Sequence, residues 1–243
     1  MKNNALNQAT QKPNFGIIGY GRFGKLWAKC LKPFGKVFIY KKTDSVKKLQ
    51  QTINADFLFL LVPISQIADV CKQIKKYLSP KTVVVDACSV KEYPVQMMKK
   101  YLPKKQPIIA THPLFGPDSV KQFGLKNQRI VVCPVSAPKN KFTIFLGVLK
   151  KMQLEIIKTT EKHHDEQMAI SQALVHFIGR GLEPLLLKKQ KISTPNYESL
   201  LRLSSMVTND TFQLFIDMQC YNKHTQKVRK KFVESLQKIN SKL

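Results

Sequence analysis

The chain has 243 residues, 43% hydrophobic and 23% charged, a globular mix that excludes a collagen-like fibre, a disordered tail protein and a disulfide-dense mini-scaffold. Lysine and arginine number 41 against 15 acids, a formal charge of +26, which raises polyanion binding as a function. The lysines are spread as pairs through every segment, among them Lys41-Lys42, Lys75-Lys76 and Lys150-Lys151. That is the pattern of solvated helix faces rather than of a base-reading motif, so nucleic acid is not expected as a partner. Five cysteines without a CxxC pair indicate reduced thiols and no metal cage. No apolar run approaches the roughly 18 residues of a membrane span, and the first dozen residues lack an apolar stretch, so a cytoplasmic protein with no leader is expected.

In chain order, 1–13 reads as a polar tail and 15–18 as a buried strand. An amphipathic helix follows at 25–32, a second strand at 37–40, a lysine-rich helix at 45–52 and a strand at 57–62. Helical spacing at 67–77 precedes a strand at 82–86, then a helix at 95–101 and strands at 107–110 and 129–133. A helix at 142–152 and a strand at 155–158 close the series. Strands alternating with helices indicate an α/β fold, a parallel, doubly wound sheet of Rossmann type over 14–160. From 161 to 243 apolar residues recur at three and four (Met168, Leu174, Phe177, Ile178, Leu182), which predicts an all-helical second domain broken at Thr194-Pro195-Asn196. About 80 residues of helix is small for an independent core, so this part is expected to pack against its own copy in a homodimer.

Three segments carry chemistry. Gly19-Tyr20-Gly21-Arg22-Phe23-Gly24 follows a predicted strand and opens a predicted helix. In that place Gly19 makes a tight turn, Gly21 lets backbone approach a pyrophosphate, and Gly24 allows helix–sheet packing, with the anion on the helix N-terminus. The second strand ends Tyr40-Lys41-Lys42-Thr43, with Asp44 expected too late to hold a ribose; lysines suit a 2′-phosphate, which favours NADP over NAD. The second segment, Thr111 to Ser119, follows a strand and puts His112 at the ligand edge, and Ser89 and Lys91 follow another strand end in the same way. In the third, His163 and His164 are adjacent on a helix and point about 100° apart, so they read as a helix start beside acids rather than as metal ligands. Gln172 and His176, four apart, share a face of an otherwise apolar helix, a structural pair unless that helix lines a pocket.

The chain resembles the prephenate/arogenate dehydrogenase family of tyrosine biosynthesis from the glycine loop to about Lys230. The resemblance rests on Asp86-Ala87-Cys88-Ser89-Val90-Lys91, His112-Pro113-Leu114-Phe115-Gly116-Pro117-Asp118-Ser119, His164-Asp165-Glu166-Gln167-Met168-Ala169 with Gln172 to Phe177, and Ser193-Thr194-Pro195-Asn196-Tyr197. It implies a Rossmann domain, a helical dimerisation domain and oxidative decarboxylation of a cyclohexadienol with hydride transfer to NAD or NADP. It implies His112 as the base, Ser89 as its orienting partner, and Lys91, Asp118, Gln172 and His176 on the substrate side. Two departures stand out. The family arginine for the ring carboxylate aligns with Met206, and a second with Glu198, which leaves Arg202, one turn before Met206, as a replacement. The sixth strand ends Val131-Val132-Cys133-Pro134 without the acid that arogenate-selective members place there, which favours prephenate over arogenate. A hydroxyacid or imine reductase and a non-catalytic Rossmann module are the competing readings. The terminal Ser241-Lys242-Leu243 matches a peroxisomal address and is taken as chance in a lysine-rich segment.

Overall fold

The computed structural model describes residues 12–243, so most of the expected tail at 1–13 lies outside the described residues. Two compact units emerge. The first holds residues up to Val62, Gln66–Cys88 and Pro94–Thr160; the second holds Pro63–Ser65, Ser89–Tyr93 and Glu161–Leu243.

The first unit is a seven-stranded sheet: β1 (Phe15–Ile18), β2 (Val37–Tyr40), β3 (Phe57–Leu60), β4 (Val83–Asp86), β5 (Ile108–Pro113), β6 (Arg129–Pro134) and β7 (Glu155–Lys158). Their order is β2-β1-β3-β4-β5-β6-β7. β1, β3 and β4 are buried along their whole length, as their unbroken apolar runs require of strands covered on both faces. One face stacks Phe15, Phe57, Phe59, Val85 and Ile109 against Trp27 and Leu31 of α1 (Arg22–Leu31) and Phe145 and Leu149 of α6 (Lys139–Lys151). The intervening helices are α2 (Val46–Ile53), α3 (Ile67–Ile74), α4 (Glu92–Tyr101) and α5 (Pro117–Phe123). Ser45 caps α2 by accepting from Lys48 N at 3.3 Å. All five cysteines are free thiols, and burial pushes that of Cys71 up to about 12.

The sheet is not wholly parallel, as the strand–helix alternation suggested. β6 runs antiparallel to β5, with Thr111 opposite Val132 and Pro113 opposite Ile130. The linker between them carries only the seven-residue α5, about 10 Å long. A six-residue strand advances about 20 Å, so that helix is too short for a parallel crossover and the chain turns straight back.

The second unit is helical: α7 (Glu161–Met168), a π-helical stretch (Ala169–Leu174), α8 (Val175–Gly181), α9 (Pro195–Thr208), α10 (Phe212–Tyr221) and α11 (Thr225–Asn240). Thr194 accepts from Tyr197 N at 3.2 Å with Pro195 at the first helical position, so the break in periodicity is the start of α9. Gly179 lets α8 and α9 pack closely: a Cβ there would lie 2.3 Å from Val207 Cγ2. Among the described residues, no helix is long and apolar enough to cross a membrane.

Candidate active site

The glycine loop has the geometry of an anion seat. Gly19 sits at φ +100°, and a Cβ there would lie 2.2 Å from the Leu61 carbonyl oxygen. A Cβ on Gly24 would meet the Gly19 carbonyl oxygen at 2.1 Å, so the start of α1 rests directly on the turn. Gly21, the N-cap of α1, has open space where a side chain would project, makes no side-chain cap bond, and is followed by no acid in the first turn. The first N–H groups of a ten-residue helix therefore face an open cradle, which fits a pyrophosphate. Phe23 stacks on Trp27 at 5.7 Å and Trp27 meets Phe115 at 6.2 Å, an aromatic floor beneath the loop.

Lys41 Nζ lies 5.6 Å from the centre of the Tyr20 ring, which joins the glycine loop to the end of β2. Tyr40 is buried, whereas Lys41 and Lys42 are exposed just beyond it. Asp44 is nearer to the strand end than its sequence position suggested. Its Oδ2 accepts from Lys41 N at 2.8 Å and its own N–H donates to Lys41 O, so the carboxylate is committed to closing that turn.

His112 lies within β5 rather than in a loop after residue 110, because pairing with β6 extends the strand, and it is 4% exposed. The adjacent Thr111 Oγ1 donates to Asp86 O, tying the ends of β5 and β4 together. Beyond it, the Ser119 hydroxyl bonds both the N–H and the carbonyl of Gly116 at 3.0 Å. Asp118 takes a forked contact from Arg22 Nη2, at 2.7 and 2.9 Å, so this acid answers the glycine loop. The antiparallel course of β6 also corrects the expectation about its end: Pro134 pairs with Ile109, and the edge beside His112 is the start of β6. Residues Lys126, Asn127 and Gln128 precede that start, so an acid missing at Cys133-Pro134 says nothing about the His112 edge.

In the second unit, polar side chains form the interior. Ser89 is half-buried and Lys91 fully buried. The Asp165 carboxylate, itself fully buried, accepts from Lys91 N at 2.7 Å and Glu92 N at 2.9 Å. His164 Nδ1 lies 2.7 Å from Asp165 Oδ1; a carboxylate only accepts, so Nδ1 carries the hydrogen. The histidine–aspartate pair read as a helix start is thus the clamp on the segment bearing Ser89 and Lys91, while His163 faces solvent. Glu92 in turn holds Lys223 at 2.7 Å and His224 at 2.9 Å, and Asn222 Nδ2 donates to Asp165 O at 2.8 Å. No signal in periodicity or spacing foretold these meetings.

The π-helical turn falls on Gln172 and ends just before His176, and such wide turns recur at functional sites. His176 is 8% exposed, with Nε2 at 3.9 Å from Asp210 Oδ2, and burial lowers its pKa against the raising pull of Asp210, with Arg180 adding to the lowering. Arg180 donates to Asp210 O and lies 3.2 Å from Glu183. Arg202 is exposed on α9 and donates to Ser199 Oγ at 3.3 Å. Met206 is 65% exposed.

Residues 31–158, just over half of the chain, match the family model described as prephenate dehydrogenase, nucleotide-binding domain. The chain belongs to the prephenate dehydrogenase family. The glycine loop precedes the matched span. Residues 181–243 match the TYRAAT1-like C-terminal domain. Arogenate dehydrogenase 1, chloroplastic, of Arabidopsis thaliana is 29% identical over 94% of this chain and 39% of its own length. A probable arogenate/prephenate dehydrogenase of Methanocaldococcus jannaschii is 25% identical over 93% of this chain and 51% of its own. The chain thus spans about half the length, or less, of these two relatives. Among solved structures, A. aeolicus prephenate dehydrogenase in complex with hydroxyphenyl propionate and NAD+ shares the fold, with TM-score 0.74 and 19% identity over 94% of this chain and 89% of that one.

Proposed function

We propose that this member of the prephenate dehydrogenase family performs oxidative decarboxylation of a prephenate-type cyclohexadienol with a nicotinamide dinucleotide. The observation that carries this reading is a buried His112 at the carboxyl edge of the sheet whose Gly21 cradle is open. A bound oxidised nicotinamide would supply the hydride acceptor for ring C4. His112 accepts the proton of the C4 hydroxyl through a neutral ring nitrogen and returns it to the same oxygen once the ring is aromatic, with Ser89 as its orienting partner. The C1 carboxylate leaves as carbon dioxide, and because aromatisation drives that loss, the protein's work is orientation and one placed base. Lys91, Gln172 and His176 face the substrate, and Arg202, which has no acid partner among the described residues, is the cation for the ring carboxylate. Asp118 serves through Arg22 at the glycine loop.

The nucleotide-binding part is 14–160 and the substrate and dimerisation part 161–243. Exposed apolar side chains of the latter, Ile192 at 94% and Phe212 at 62%, support a homodimer. Lys41 and Lys42, exposed on the turn that Asp44 closes, support NADP over NAD. Arogenate undergoes the same ring chemistry as prephenate, and the course of β6 removes the argument against it. Following reduced-nicotinamide absorbance with prephenate and arogenate, each crossed with NAD and NADP, tests the reading. Turnover in at least one combination is expected; a folded protein silent in all of them refutes it.

A further inference from the structure

The last helix of the second unit carries an apolar seam longer than its packing uses. In α11, Val228, Phe232, Leu236 and Ile239 follow one another at i, i+4, i+8 and i+11, so they share one face. The first two are half-buried. The Phe232 ring meets the Phe177 ring edge-on at 6.5 Å, and the Arg229 guanidinium lies 5.9 Å from the centre of that same Phe177 ring. Arg229 also donates to Gln219 Oε1 at 2.6 Å, which fixes the inner half of the helix to α10. From Val233 onward every residue of the helix is exposed, Leu236 at 51% and Ile239 at 56%. The seam continues past the side chains that cover it, and its outer half meets water.

Cations flank that seam. Lys227, Lys231 and Lys238, all exposed, are the residues just before Val228, Phe232 and Ile239, so they form a second row about 100° round the helix from the first. The helix holds five cations against one acid, Glu234, which stands 3.8 Å from Lys230.

This charge decides what can cover the outer half. A two-fold contact between copies sets the same lysines against themselves, like charge on like. A nucleic acid answers the lysines and leaves Leu236 and Ile239 without an apolar neighbour. An anionic lipid surface answers both, because its phosphates take the ammonium groups while the lysine stems and the seam enter the headgroup boundary.

We infer that the outer half of α11 is a peripheral anchor for an anionic lipid surface, with the helix lying in the plane of that surface rather than crossing it. The inference stands on the helical unit alone and is independent of the proposed dehydrogenase reaction.

The full chain is sedimented with vesicles of phosphatidylcholine alone and with vesicles carrying about one-third phosphatidylglycerol. Wild type sediments with the anionic vesicles and not with the neutral ones. A chain of +26 is drawn to any anionic surface, so the decisive variant is Leu236→Ser/Ile239→Ser, which keeps every charge. It lowers binding about 10- to 100-fold, because membrane affinity scales with the apolar area inserted. Lys231→Gln/Lys238→Gln lowers it about 10- to 30-fold, and added salt weakens the wild type. Ile239→Trp gives a second readout that needs no loss of binding. Trp27 is 1% exposed, so a blue shift of emission on adding anionic vesicles reports the new indole entering the interface. A serine pair that binds as the wild type does, or an Ile239→Trp emission that stays in place, overturns the anchor. A serine pair that dissociates a dimer in sedimentation velocity while vesicle binding is unchanged gives the face to a second copy, and overturns it as well.

Discussion

The two units bury different kinds of side chain. In the sheet unit the interior is Phe15, Ile17, Trp27, Phe57, Phe59, Val85 and Phe145; Thr82, Gln106 and Thr111 among its buried polar groups donate to backbone carbonyls, and the Asp86 carboxylate accepts from Cys88 N. In the helical unit, Lys91, His164, Asp165, His176, Asp217 and Asn222 are buried, beside only a handful of apolar residues such as Ala169, Val207 and Met218. A core of the first kind tolerates change gradually, since its stabilisation scales with apolar area. One of the second kind depends on particular partners, because a polar group stripped of its partner retains its full desolvation cost. The sheet is a frame, and the helical unit is held by charges that must meet.

The largest expected effect falls on the one buried imidazole of the sheet edge. His112→Asn removes the proposed base from an otherwise intact frame and is expected to lower kcat about 10²- to 10⁴-fold with substrate KM little changed, by steady-state assay with the preferred nucleotide. Near-normal turnover would take His112 out of the chemistry. Next, Asp165→Ala strips partners from Lys91 N, Glu92 N and His164 together, and lowers stability by about 3–5 kcal/mol in denaturant unfolding. If Thr111→Val, which loses one bond to a backbone carbonyl, costs as much, the contrast between the two interiors is false. Gly24→Ala drives a Cβ toward the Gly19 carbonyl at 2.1 Å and should cost about 1–3 kcal/mol, with weaker nucleotide binding by titration.

The smallest effect is a pH dependence. Burial holds the His176 pKa below its ordinary value, with Arg180 adding to the lowering and Asp210 opposing it. The unfolded chain therefore binds the proton more readily, so this contribution is present above about pH 6.5 and is lost as pH falls below it. Denaturant midpoints between pH 7 and 5 should fall less in His176→Gln than in the wild type. Equal slopes would remove His176 from the balance.

Much of the frame was legible because each strand reports its own burial. The runs at 15–18, 37–40 and 155–158 became β1, β2 and β7 with the expected bounds, and the glycine loop lies where its strand–helix setting placed it. The sequence pattern signals no helix over Pro117–Phe123, where proline and glycine mask the short α5. On the helical side, periodicity correctly gave helices and could not give Asp165 on Lys91 N or Asp210 beside His176, which lie 74 and 34 positions apart along the chain.

The sequence by itself determined the α/β frame, the glycine cradle and the buried strands, because short unbroken apolar runs and glycine's freedom act within a few residues. Tertiary structure decided the reversal of β6, the place of His112 inside a strand, the capture of Asp118, and the acid facing His176. Those outcomes depend on which distant backbone or charge arrives as neighbour, and a pairing energy exists only once both partners are in place.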